Sequence, residues 1–122
     1  MDLLNDQSLI SREYIEGVHL FKKGDPAKEA FLVYSGSIRI YKESDGIERE
    51  IAKLGPGEII GEMALITHKE AHSSNAVAAE KSIVVVITKK TLENKLKTAD
   101  PLLNTMLLKL AERVYKSNEK SD

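Results

Sequence analysis

The residues most able to do chemistry lie together in Gly55-Pro56-Gly57-Glu58-Ile59-Ile60-Gly61-Glu62-Met63-Ala64-Leu65-Ile66. Two glycines around a proline make a sharp turn, an apolar strand pair enters, and Gly61 lets the backbone approach a neighbour closely. A short helical turn after Gly61 would point its unsatisfied N–H groups outward, and those groups together with the helix dipole favour an anion. Glu62 suits an anion badly, but its carboxylate is a good acceptor for a hydroxyl. A phosphate beside a hydroxyl is the pattern of a nucleotide's sugar. The same residues also suit a plain turn whose Glu is favoured by the dipole, and local physics leaves both readings open.

Other constellations carry less. His68 and His72 stand at i and i+4, near enough on a helix to share a metal. The pattern is not His-Glu-x-x-His, His19 is the one other histidine, and the segment reads as an exposed loop. A cupin-like metalloenzyme would share a rolled β-architecture, but the His-x-His that such sites use is missing. With no cysteine there is no disulfide, thiolate nucleophile or Cys-ligated zinc. Ser73-Ser74 lacks a Gly-x-Ser-x-Gly elbow. The expectation is therefore no catalytic residue, no metal and no cofactor.

The elements that must position the Gly61 segment follow from a single change of composition. All 7 glycines fall between Gly17 and Gly61, and after Ile87 Leu, Lys, Glu and Asn take over. This predicts a β-rich body over about residues 12–88 and C-terminal helices over about 89–118. Strands are expected at Val18–Lys23, Ala30–Tyr34, Ile38–Lys42, Ile47–Leu54, Ala76–Ala79 and Ser82–Ile87. They are separated by turns at Gly24-Asp25-Pro26, Ser35-Gly36, Ser44-Asp45-Gly46 and Gly55-Pro56-Gly57. Any N-terminal helix is confined to about Asp2–Ile10. Short strands at such regular spacing favour a sandwich, roll or barrel.

The tail reads as two helices. Thr88 or Thr91 can cap the first, which runs to about Lys97. Asp100-Pro101 gives the second an N-cap and a proline at its first position. From Pro101 to about Ser117 that helix would be about 25 Å long. Leu103, Leu107, Leu110 and Val114 form one stripe with Met106 beside it, and either packing on the β-body or a dimer seam would satisfy it.

The chain of 122 residues is one domain's worth, and its formal net charge of −1 argues against a strongly basic nucleic-acid binder. The N-terminus lacks the pattern of a signal peptide, and no apolar run reaches the roughly 20 residues that span a bilayer. The expected location is the cytoplasm.

In order and spacing, these segments resemble the cyclic-nucleotide-binding domain family, catabolite-activator type. Phe21-Lys22-Lys23-Gly24-Asp25 is similar to its hydrophobic-x-x-Gly-Asp/Glu turn. Phe31 to Ile40 is similar to its strand–Gly–strand signature, and Gly55 to Glu62 to the entry of its phosphate-binding cassette. Gly61-Glu62-Met63-Ala64-Leu65-Ile66 resembles the cassette core. The resemblance implies a mainly β fold, an antiparallel β-roll or jelly-roll-like barrel followed by two α-helices, over a single domain of residues 1–122.

The resemblance also implies a ligand, cAMP or cGMP, and a set of roles. Glu62 would accept from the ribose 2′-hydroxyl, with Gly61 and the amides around Met63, Ala64 and Leu65 facing the cyclic phosphate. The family's phosphate-pairing Arg falls on His72, with Ser73 next and Ser74 within reach of a small shift. No Arg occurs anywhere between Ile66 and Ile87. Lys69, Ser73 and Ser74 would assist. Two hydroxyl-bearing base contacts of the catabolite-activator type fall on Ser117 and Asn118. The expectation is that no DNA-binding domain belongs to this chain, so that the module would signal through its C-terminal helices to an effector protein not identified by sequence, or as a homodimer. The rival implied reading is a degenerate domain acting as an interaction or dimerisation scaffold.

Overall fold

Alternation along the strands builds two layers. The computed structural model describes residues 3–66 and 70–120, without the side chains of Ile66, Val114, Tyr115 and 117–120. After a 3-10 turn at Leu3–Asn5 come β1 (Ile10–Tyr14), β2 (His19–Phe21), β3 (Glu29–Ser35), β4 (Ile38–Ser44), β5 (Ile47–Leu54) and β6 (Ile59–Ile60). Then follow α1 (Met63–Ile66), β7 (Asn75–Ala78), β8 (Ser82–Thr88), α2 (Lys89–Lys97) and α3 (Pro101–Lys120). Two four-stranded sheets, ordered β1-β8-β3-β6 and β2-β7-β4-β5, are antiparallel throughout. The fold is thus mainly β with C-terminal helices, as the sequence predicts. Phe31, Val33, Val84 and Val86 from one sheet meet Phe21, Ile38, Ala76 and Ala78 from the other to form the core.

The one strand with no sequence signal is β1. Its residues are exposed except for half-buried Tyr14, and the segment forms because it pairs with β8 from Ile10↔Val86 to Tyr14↔Ser82. Tertiary pairing overrides a weak local pattern here. Ile10 accordingly belongs to a strand and not to an N-terminal helix. The N-terminal turn is clasped to α2 by Asp6 and Lys95, 2.6 Å apart, and that contact with the Ser8 hydrogen bonds holds the Asp6 carboxyl down at about 2.

Turn chemistry behaves as written in the sequence. Asp45 and Gly46 take φ values of 54° and 76° and join β4 to β5 as a tight hairpin. Gly36, at φ +88°, lies against Ser82, whose buried hydroxyl receives the Ser37 amide at 3.0 Å and donates to the Glu80 carbonyl at 2.8 Å. A Cβ on Gly36 would overlap the Ser82 hydroxyl and lie 2.7 Å from its Cα. The Thr88 hydroxyl accepts from the Thr91 amide at 3.0 Å and caps α2, and Asp100 accepts from the Leu102 amide at 2.9 Å and caps α3.

The α3 stripe is not buried against the roll. Leu103, Met106, Leu107, Leu108 and Leu110 are each about half exposed, and Leu102 more so. The helix meets the body chiefly at α1, which removes the option of a stripe packed inward for these four residues. The Val114 side chain lies outside the described residues.

Gly36→Ala should destabilise the fold by at least about 2 kcal/mol, since it adds an overlap with backbone to the cost of a positive φ. Gly17→Ala, also at positive φ but with open space around it, should cost about 1 kcal/mol. Urea unfolding of the two variants checks the difference.

Candidate functional site

A cavity of about 420 Å³ opens between the sheets beside α1. Gly61, Glu62, Met63 and Ala64 form one wall, His72, Ser73 and Ser74 another, and Phe21, Ile40, Leu54 and Ile59 supply an apolar floor. Seven of the eight residues expected at a ligand site from the cassette and its downstream loop therefore come together. Leu65 does not line the cavity.

The cassette turn depends on Gly61. At φ +74° it sends the chain from β6 into α1, and a Cβ there would lie 3.4 Å from both the Glu29 carbonyl oxygen and His72 Cε1. The amides of Ala64 and Leu65 close the turn onto the Gly61 and Glu62 carbonyls at 3.0 and 2.9 Å. Those two N–H groups are thus engaged within the turn. Ala64 is buried behind it, where a small side chain is needed to let the turn sit on the roll.

The opposite wall is strapped down by backbone. The Lys22-to-Ala27 turn closes on itself through the Lys22 amide and the Asp25 carboxylate at 2.9 Å, with Gly24 at φ +92°. It then binds the segment after the cassette: Gly24 donates to the His72 carbonyl, His72 to the Asp25 carbonyl and Ala27 to the Glu70 carbonyl, each at 2.9 Å. Asn75 accepts from the Lys23 amide at 2.9 Å. His72 is thereby only 8% exposed, and its ring lies flat on Phe21, with centroids 3.6 Å apart and planes within 7°. Burial of this histidine is a departure from the exposed loop expected of its segment.

Among the described lining residues Glu62 carries the one fixed formal charge. The residues that sequence reasoning missed are the apolar ones, Phe21, Ile40, Leu54 and Ile59. Their strand alternation is the same whether they face a core or a cavity, and only their position opposite the cassette could have marked them. His68 and Lys69 lie outside the described residues, as do the side chains of Ser117 and Asn118. His19 is turned away to Tyr41, with Nε2 2.6 Å from the phenol oxygen, and no metal-binding cluster is found among the described residues.

Comparison with known proteins places these features. The model of the family described as "Cyclic nucleotide-binding domain" matches residues 11–99. The cyclic AMP receptor protein of Thermus thermophilus is 30% identical over 112 residues, 91% of this chain and 51% of the relative. The cAMP-dependent protein kinase type II regulatory subunit of Drosophila melanogaster is 34% identical over 67 residues, 55% of this chain and 18% of the relative. The chain thus spans about half, or less, of these curated relatives. In structure it is similar to the EAL enzyme Bd1971 in its half-site-occupied form, with a TM-score of 0.83, 29% identity and coverage of 90% of this chain and 98% of that one.

The stacked geometry makes a specific prediction. The His72 ring protons should resonate upfield because of the Phe21 ring current. Phe21→Leu should return them toward ordinary imidazole positions while costing about 1–2 kcal/mol in stability. Two-dimensional NMR and urea unfolding of that variant check both parts.

Proposed function

The chain belongs to the cyclic nucleotide-binding domain family, and from that premise we propose that it is a regulatory module sensing a cyclic nucleotide, cAMP or cGMP, in the cavity beside α1. The observation that carries this reading is the convergence of Gly61, Glu62 and the start of α1 with His72, Ser73 and Ser74 around one cavity of nucleotide size. Glu62 accepts from the ribose hydroxyl. The cyclic phosphate sits at the start of α1, within reach of the imidazole and the two serine hydroxyls. The base lies along the apolar floor. The regulatory names of the curated relatives support a non-enzymatic role.

His72 stands where the family places its Arg, and this sets the strength of binding. A guanidinium is always charged and grips phosphate with two parallel bonds, and a charge-assisted hydrogen bond of this kind contributes roughly 1.5–3 kcal/mol. An imidazole titrates near 6.5 in water, so it offers a full charge only in mildly acidic solution unless the phosphate raises its affinity for a proton. Binding that uses protonated His72 must strengthen as pH falls. Glu62 lines the same cavity and would work against an anion, which is why its partner is a hydroxyl.

Occupancy has a physical route outward. α1 touches both α2 and α3, so a ligand that repositions α1 shifts the helices. The exposed apolar stripe of α3 is the surface that would answer, as the seam of a homodimer or as the face offered to an effector.

Calorimetric titration with cAMP and cGMP at pH 6 and pH 7.5 tests the reading. It predicts binding that is tighter at pH 6, weakened at least about tenfold by Glu62→Gln and strengthened about tenfold or more by His72→Arg. No heat and no thermal stabilisation at millimolar ligand at either pH would overturn it in favour of a scaffold that has lost the nucleotide. Sedimentation at several concentrations tests the seam: a dimer that Leu103→Glu with Leu110→Glu dissociates is expected, and a strict monomer at every concentration contradicts it.

A further inference from the structure

The polar side chains of the cavity beside α1 suit a ligand without charge. Among its described lining residues Glu62 alone carries a fixed formal charge, and that charge is negative. His72, Ser73 and Ser74 complete the polar set. A carboxylate accepts hydrogen bonds, and a serine hydroxyl both donates and accepts. A ribose hydroxyl does both as well, so each of these side chains can serve one. An ionised phosphodiester only accepts, and it brings a second negative charge into the cavity that holds Glu62. Like charges in a site partly withdrawn from water repel more strongly than in bulk solvent.

The backbone does not offset this. The helix α1 has four residues, about one turn. Its Ala64 and Leu65 amides are engaged by the Gly61 and Glu62 carbonyls at 3.0 and 2.9 Å. On the opposite wall the Ala27 and His72 amides are engaged by the Glu70 and Asp25 carbonyls, each at 2.9 Å. The His72 ring has one face covered by Phe21 and is 8% exposed as a residue. The apolar floor of Ile40, Leu54 and Ile59 favours a base whether or not a phosphate accompanies it.

We propose that the ligand class this cavity selects at neutral pH is an uncharged ribonucleoside. Its base lies on the apolar floor and its 2′-hydroxyl donates to Glu62. A cyclic nucleotide keeps only that hydroxyl, whereas a nucleoside also offers its 3′- and 5′-hydroxyls to the serines and the imidazole. The cyclic phosphate is tolerated in the cavity and is not what the cavity selects. This rests on Glu62 meeting a ribose, as in the proposed cyclic-nucleotide site, and differs in where the selectivity lies.

Calorimetric titration of the full chain at pH 7.5 with adenosine, guanosine, their 2′-deoxy counterparts, cAMP and cGMP tests the inference. A ribonucleoside should bind at least as tightly as the cyclic nucleotide of the same base. Loss of its 2′-hydroxyl should weaken it at least about tenfold. His72→Arg, which places a permanent cation in the cavity, should reverse the order in favour of the cyclic nucleotide. A cyclic nucleotide that outbinds its nucleoside on the wild-type protein overturns the inference and leaves the cyclic-nucleotide reading standing. A nucleoside preference that His72→Arg leaves in place does the same. Nucleoside binding that Glu62→Gln leaves unaltered overturns both readings, because the ribose is then not at Glu62. Absence of binding by either class at millimolar ligand likewise overturns both.

Discussion

The cavity exists because the segment after the cassette is tied by backbone to the turn before β3. Three hydrogen bonds, from Gly24, His72 and Ala27, run between these two stretches of chain. They need no particular side chain beyond a glycine that can reach φ +92° and an aspartate that closes the turn. Their effect is to hold His72 flat on Phe21 and to bring its Cε1 close to Gly61. One side of the cavity is thereby fixed to the core through Phe21, while the other side, α1, is a four-residue turn in contact with two helices. The arrangement pairs a wall stacked on the core with one that touches α2 and α3, the contact through which the proposed signalling would run.

The electrostatic character of the site follows from the same geometry. A stacked, buried imidazole is a conditional cation where a guanidinium would be a permanent one. Under the proposed reading, the Glu62 carboxylate in the same cavity disfavours a ligand that brings only negative charge.

Much of this was legible in the sequence, and the exceptions share a cause. The Asp45-Gly46 hairpin and the Thr88 and Asp100 caps are specified by local chemistry that no tertiary contact needs to complete, whereas the Gly61-to-Ile66 cassette was legible through its family resemblance. β1 was illegible because its exposed polar residues become a strand only by pairing with β8, far along the chain. Phe21, Ile40 and Leu54 were visible as apolar strand residues, but alternation does not distinguish facing a core from facing a cavity. The burial of His72 was hidden for a related reason: a histidine between alanine and two serines reads as loop until the Gly24-to-Ala27 strap is seen. The α3 stripe stands half exposed at Leu103, Met106, Leu107 and Leu110. That the roll does not cover it depends on where α3 leaves the body, which the periodicity does not encode.

The most direct test of the account is a backbone and imidazole NMR map of the protein at pH 6 as cAMP or cGMP is added. The account predicts that the resonances of Gly61 to Leu65 and of His72 to Ser74 shift together and saturably, with the His72 ring among the largest changes, and that resonances along α3 follow at the same ligand concentration. No saturable shift in the cassette, or shifts confined to surfaces away from it such as His19 and Tyr41, would contradict it.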